Sequence, residues 1–388
     1  MSRHRLPALL FAVLSASLSP AQSKSPDATF DKNGRPQDPA FFPVAVWLQA
    51  PHNAQRYREL GVNLYVGLFG GPTEAQLQAL REAKMPVICQ QNDVGLACKG
   101  APIVGWMHGD EPDNAQAKEG GGYGPPITPK QIVADYAEMK KADKHRPVLL
   151  NLGQGAAWDG WIGRGVRTNH PEDYADYVDG CDLVSFDIYP VTHTHDDVRG
   201  KLEFVGRGVQ RLRAHAKDKP VWACIETGHV SNQDVRPTPQ QVVDEVWIAI
   251  ASGASGIVYF CHEFAPKFVE AGLLVHEDVR DAVAQVDAQL TELAPVLNSA
   301  RLDDAVKLRG DDAAQFAVRA HKHGSTLHVL VASLSPEERE LQLTVKGQRL
   351  GAAAWRDDDG KEQKQRLKDG AVTTKVRGYG HLHLRITR

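Results

Sequence analysis

Cysteine is scarce in this chain: five thiols in 388 residues (Cys89, Cys98, Cys181, Cys224 and Cys261), none spaced as Cys-x-x-Cys. That excludes a scaffold built on disulfides. A Cys89–Cys98 bridge and five small buried thiols are both compatible with the spacing. Basic blocks are also missing. The 45 Lys and Arg are outnumbered by 48 Asp and Glu, and no run of positive charge is long enough to follow a phosphate backbone, so nucleic acid is not an expected partner. No stretch approaches the roughly 20 apolar residues needed to span a bilayer, which leaves no membrane segment to expect. Gly-x-Ser-x-Gly, the mark of a serine nucleophile elbow, does not occur.

What remains is the composition of a soluble globular protein, 42% hydrophobic and 24% charged. The N-terminus carries Arg3 and Arg5, an apolar Leu9 to Val13 segment and a small-x-small site at Ser19-Pro20-Ala21. Residues 1–21 therefore read as a signal peptide, and the mature chain as secreted or periplasmic. A Pro- and polar-rich lead occupies 22–40.

From there the chain alternates. Strand-like apolar runs fall at Phe42–Trp47, Val62–Leu68, Pro86–Cys89, Ile103–His108, Pro147–Leu152, Leu183–Tyr189, Val221–Glu226 and Gly256–Phe260. Helical spacing lies between them, clearest after Thr73, after the Thr128-Pro129 cap, over Val198–Ala216 and Pro239–Ala251, and closing with Val279–Leu297. Eight such pairs over 41–298 match a (β/α)8 TIM barrel in number and in length, about 250 residues. A doubly wound sheet would place a Gly-rich phosphate loop after the first strand, and Trp47-Leu48-Gln49-Ala50-Pro51 is not one. Beyond Ala300 the texture turns to period-two runs (Ala314–Ala320, Thr326–Ser333, Glu340–Val345, Ala371–Val376, His381–Ile386), with Asp357 to Gly360 as a turn. Residues 299–388 thus predict a small antiparallel, sandwich-like β-domain, expected to cover a flank of the barrel.

In a parallel barrel the functional residues sit at the C-terminal ends of the strands. Val104-Gly105-Trp106-Met107-His108-Gly109-Asp110-Glu111-Pro112 puts Glu111 at such a lip, and Glu226 ends the seventh run before Thr227-Gly228-His229. Alternation places Trp222, Cys224 and Glu226 on one face. Two carboxylates in one mouth can divide the work of acid/base and nucleophile if their environments hold them at different pKa values.

On these residues the chain resembles the clan A glycoside hydrolases, (β/α)8 enzymes with an acid/base Glu after strand four and a nucleophile Glu after strand seven. The resemblance implies a retaining glycosidase with Glu111 as acid/base and Glu226 as nucleophile. It also implies that Tyr189, in Phe186-Asp187-Ile188-Tyr189-Pro190, hydrogen-bonds the nucleophile. Where the clan carries Asn before the acid/base, this chain has Asp110, which accepts a hydrogen bond but cannot donate one when ionised.

Trp47, Trp158 and Trp161 are candidate platforms for sugar faces, the last two favoured by their loop position, although core packing competes for any single Trp. Gln49, Asp110, Asn151, Asp187, His229 and Glu263 lie at or just beyond strand ends and are expected to meet substrate hydroxyls, with capping as the competing role. His193-Thr194-His195 looks like a metal pair, but two histidines leave a catalytic zinc site a ligand short. Neither metal nor cofactor is therefore expected. The partner expected is an oligo- or polysaccharide. The rival readings are a barrel that binds glycan without turnover, and a metal-dependent hydrolase or isomerase on the same fold. Nothing in the sequence fixes an oligomeric state.

Overall fold

The computed structural model describes residues 29–264, 266–347, 351–356 and 361–387. Residues 1–21, expected as a signal peptide, and 357–360, expected as a turn, lie outside the described residues. Eight parallel strands close a barrel in sequence order: β1 (Val44–Trp47), β2 (Leu64–Val66), β3 (Val87–Cys89), β4 (Ile103–Met107), β5 (Val148–Leu152), β6 (Leu183–Phe186), β7 (Val221–Glu226) and β8 (Ile257–Phe260), with β8 pairing back onto β1. The helices are α1 (Ala54–Glu59), α2 (Glu74–Glu82), α3 (Asp93–Ala97), α4 (Pro129–Ala142), α5 (Asp173–Tyr177), α6 (Glu203–Ala216), α7 (Pro239–Ser252) and α8 (Glu277–Leu297). The TIM barrel expected from the alternation is therefore present. None of these helices is long and apolar enough to cross a membrane.

Strand alternation sorts the core into two layers. Ala45, Trp47, Leu64, Val66, Ile88, Leu149, Trp222, Cys224 and Val258 pack together inside the barrel, while their neighbours Val44, Val46, Tyr65, Val87, Leu150, Ala223 and Ile257 pack outward against the helices. The lead contributes as well. Phe30 is buried in the inner cluster, with its ring 5.9 Å from that of Trp222 and 5.8 Å from that of Phe41, so residues before β1 stop one end of the barrel. Two expectations shorten. The sixth strand stops at Phe186, and α6 starts at Glu203, because the stretch between becomes a loop whose amides are used at the mouth.

Helix α7 explains how the second domain is held. Thr238 and Gln241 form a capping box, Pro239 sits in the first turn, and Gly253 ends the helix at φ 111°. The helix is apolar nearly all round, with Val242, Val246, Trp247, Ile248 and Ile250 buried. Such a helix needs cover on both faces. The barrel supplies one, and strands β10 (Phe316–His323) and β11 (Thr326–Ser333) supply the other. These belong to a five-stranded sheet of order β10-β11-β16-β13-β14, with β13 (Ala352–Arg356), β14 (Glu362–Arg366) and β16 (His381–Thr387). A three-stranded sheet, β15-β12-β9, joins β9 (Val306–Arg309), β12 (Arg339–Val345) and β15 (Ala371–Val376).

Strands β9, β13 and β14 are not among the sequence expectations; β14, Glu362-Gln363-Lys364-Gln365-Arg366, shows no apolar face at all and is recruited as an edge by its pairing with β13. Trp355 lies in this domain's core, and the Tyr379 hydroxyl donates to Glu203 Oε2 at 2.7 Å, so neither is a free platform for sugar.

Across the seam, Trp247 stacks on His381 at 4.6 Å and the Arg377 guanidinium grips the buried Asp244 carboxylate through both nitrogens (2.9 and 2.6 Å). Arg377→Ala takes away the cation and leaves the carboxylate with the Gln240 amide (2.9 Å) as a neutral donor, and the expected cost is about 2 kcal/mol of stability, between the values for exposed and buried pairs. Urea unfolding checks it: an unchanged midpoint would mean that the bidentate pair contributes nothing.

All five cysteines are free and buried, so the Cys89–Cys98 bridge does not form; the Cys98 thiol instead accepts from Arg81.

Candidate active site

The mouth is assembled from the segments that leave β4, β5 and β6. Glu111 leaves β4 in a left-handed conformation, φ 42°, which a non-glycine residue adopts only where its surroundings impose it. Its turn is tied down by Asn114, whose amide N–H returns to the Glu111 carbonyl (3.0 Å) while its side chain donates to Glu111 Oε2 (2.8 Å). Asn114 Oδ1 in turn accepts from Trp161 Nε1 at 2.9 Å. Beneath the turn, Asp113 is wholly buried, accepting from the Gly153 amide and the Tyr174 hydroxyl, both at 2.8 Å. Asp113 was not among the sequence candidates, since Asp-Glu-Pro-Asp reads as ordinary turn chemistry.

Across the mouth Asp187, just past β6, lies against Glu111, near enough for each carboxyl to shift the titration of the other. Burial pushes Glu111 up to about 7, with the contact of Asp187 and the hydrogen bond from Asn114 opposing and Asp110 and Asp113 adding to the rise. Asp187 is held well above the usual carboxylate range, by burial first and then by the negative charge of Glu111. At neutral pH the pair retains a proton. The Tyr189 hydroxyl donates to Asp187 Oδ2 at 3.0 Å, which corrects the expectation that it would serve Glu226. Lower down, Asn151 donates to Asp110 (2.9 Å) and accepts from Ser185 Oγ (2.7 Å), supporting Asp110 from the barrel interior.

Glu226 ends β7 as expected but is turned differently. Its side chain is 0% exposed, its oxygens accept from the amides of Val191 (2.6 Å) and Thr192 (3.0 Å), and it touches Glu245 of α7. Trp222 and Cys224 point into the inner core; the Glu226 carboxylate goes to the donors that the loop after β6 offers. Burial pushes Glu226 up to about 7 against the lowering effect of Thr192 and Val191. The structure thus brings together Asp110, Glu111, Asn151, Asp187 and Tyr189, and gives Glu226 a different carboxyl partner.

Aromatic rings wall the mouth. On one side Trp158 lies against Trp161 (6.3 Å), His193 (5.4 Å) and His195 (4.7 Å). On the other, Tyr189 packs on Phe260 (5.1 Å), and that cluster runs out through His262 to Phe264 and Phe268, which are 55% and 61% exposed. These two phenylalanines, on a loop closed by the Glu263–Val269 bridge, carry no periodic signal in the sequence.

Trp47 is buried in the inner barrel cluster rather than displayed. Gln49 is buried, donating to the carbonyls of Trp47 and Glu270 and accepting from Tyr57 at 2.5 Å, which makes it a strut for the β1 loop. Glu263 accepts from His276 (2.7 Å) and the His229 amide (3.2 Å), and the His229 ring meets the Asn232 carbonyl (3.3 Å). These three tie loops to one another. The His193 ring is engaged at both nitrogens, by Gln154 Oε1 (2.9 Å) and by the His195 amide (3.0 Å), so the two histidines do not converge as a metal pair. Among the described residues no group of three or more His, Cys, Asp or Glu is arranged to hold a metal ion.

Fold and mouth together define a (β/α)8 barrel that resembles the clan A glycoside hydrolases. Residues 130–297 match the family profile Glyco_hydro_42, described as beta-galactosidase. That stretch contains Asp187, Tyr189, Glu226 and Glu245 and begins after Glu111. No curated protein sequence matches the chain. Among solved structures, AmyP in complex with maltose is similar at a TM-score of 0.50 and 10% identity, over 90% of this chain and 97% of that one. A glucosidase from Croceicoccus marinus gives 0.45 and 13%, over 93% and 97%. An alpha-L-arabinofuranosidase from Thermotoga maritima gives 0.43 and 12%, over 93% and 92%. At these identities the structural likeness is one of fold.

Proposed function

We propose that this protein is an exported glycosidase that hydrolyses an oligo- or polysaccharide at the barrel mouth, with Glu111 as proton donor. The observation that carries the reading is the Glu111–Asp187 pair. A carboxyl held near 7 by burial, at a strand lip between aromatic walls, is protonated where a leaving oxygen needs a proton and ionised where water must be activated. The family match over residues 130–297 supports the class of reaction. Arg3, Arg5 and the apolar segment after them support export.

For the second carboxylate we favour Glu226, by its place at the end of β7 and by the two amides that stabilise its ionised form. Asp187 is the alternative, but it already lies against Glu111, where a retaining pair needs room for the anomeric carbon between its carboxyls. In either case a retaining reaction forms a bond from carboxylate oxygen to anomeric carbon as the leaving oxygen takes the proton of Glu111. Water then displaces the carboxylate, returning its proton to Glu111.

The experiment is hydrolysis of a panel of aryl glycosides and polysaccharides by the wild type, Glu111→Ala, Asp187→Ala and Glu226→Ala, with azide added. Whichever of the last two gives a glycosyl azide of inverted configuration held the nucleophile, and Glu111→Ala is expected to give the retained one. A wild type that binds glycan yet cleaves none of the panel would make the barrel a binding module instead. Sequencing the exported protein should find its N-terminus beyond Ala21.

A further inference from the structure

The seam between the barrel and the β-domain holds an open cleft of about 500 Å3. From the barrel it is lined by Gln210 and Arg213 of α6 and by Ser252 at the end of α7; from the β-domain, by Arg301, Lys307 and Phe316. Three cationic side chains therefore face one acidic one, Asp303, which pairs with Arg301.

The cationic excess continues behind the cleft wall. Arg319, on β10 next to the lining residue Val318, is only 4% exposed and is close enough to Arg213 and Arg301 to feel both charges. Burial and those two neighbours pull it down to about 9, so it stays charged at neutral pH. His321 beside it is wholly buried and pushed down to about 3, which leaves it neutral.

Part of this arrangement is helix capping: Arg213 donates to the Ser252 carbonyl at 3.4 Å, and Arg319 to the carbonyls of Ala254 (2.5 Å) and Leu297 (3.3 Å). Capping does not use all the donors. Arg319 Nε, Arg301 Nε and Ser252 Oγ are buried with no partner among the described residues. Unpaired buried donors are costly, and a cluster of them around surplus positive charge calls for an acceptor with several oxygens.

We propose that this seam is a binding site for a tetrahedral oxyanion, phosphate or sulfate, either free or as the ester of a saccharide. Guanidinium forks match two oxygens of such a group, and Lys307 adds a point charge at the rim. The cleft is larger than a bare anion, so the ester has room. The site joins the two domains and lies apart from the barrel mouth.

The test reads binding by the full-length protein, through thermal melting at constant ionic strength with chloride as the reference salt. Sulfate and phosphate are expected to raise Tm saturably where chloride does not. Arg301→Gln and Lys307→Gln, both at the cleft rim, should each weaken the apparent Kd about tenfold while leaving the anion-free Tm near that of wild type. A 6-sulfated monosaccharide and its unsulfated parent separate the sources: tighter binding of the ester than of sulfate assigns the saccharide, and equal binding assigns the free anion. Equal shifts with sulfate, phosphate and chloride would overturn the site, as would both variants responding like the wild type.

Discussion

Replacing Glu111 by Gln is expected to lower kcat on glycosides with poor leaving groups by about a thousandfold, within the range that a positioned proton donor supplies. Nitrophenyl-type glycosides, whose leaving oxygen needs little proton, should lose far less. The size of that difference, rather than the loss alone, identifies a proton donor. The pH dependence comes from the same geometry. Burial holds Glu111 near 7, so the donor is protonated below that value and kcat/KM falls as pH rises through it. Asp187→Asn removes the carboxyl opposite and puts an amide donor in its place, which favours ionised Glu111. The alkaline limb should move to lower pH. Rates measured from pH 4 to 9 decide the matter, and an alkaline limb that stays put in Asp187→Asn would show that the two carboxyls do not titrate together.

The second large effect concerns stability. Glu226 and Glu245 are both wholly buried and in contact, with Glu226 pushed up to about 7 and Glu245 held well above the usual carboxylate range by burial and by the charge of Glu226. In the unfolded chain each ionises near 4.5. Below that pH both states are protonated and the contribution of the pair is fully present. Between 4.5 and 7 the unfolded chain sheds protons that the native state keeps, so stability is lost as pH rises. At about 1.4 kcal/mol per unit this amounts to about 3 kcal/mol from Glu226 by neutrality. Glu245→Gln removes one acid and offers an amide donor to Glu226. The variant should be the more stable protein at pH 8 by an amount of that order, with the advantage gone at pH 4.5. Urea midpoints at the two pH values measure it; an equal offset at both would mean that the substitution acts through packing and not through protons.

The contrast between the two pairs separates what sequence and structure each contribute. Local chemistry wrote the strands and helices: apolar alternation made the inner and outer layers, Thr238-Pro239 and Gly253 bounded α7, and eight repeats set the barrel. It also set Glu111 and Glu226 at strand ends, because a carboxylate closing an apolar run is visible in one dimension. Strand β14 leaves no such signal, since its polar residues pair by backbone with β13 and obey no hydrophobic period. The partner of each carboxyl was not written in this way. Asp187 reached Glu111, and Glu245 reached Glu226, through closure of the barrel and through a loop whose amides at Val191 and Thr192 draw the Glu226 carboxylate to themselves. The cationic seam likewise gathers Arg213, Arg301, Lys307 and Arg319 from α6 and from the β-domain. Secondary structure is a property of neighbours along the chain and leaves a period to read. Burial, charge pairing and the resulting pKa values are properties of neighbours in space, and only the packed fold decides them.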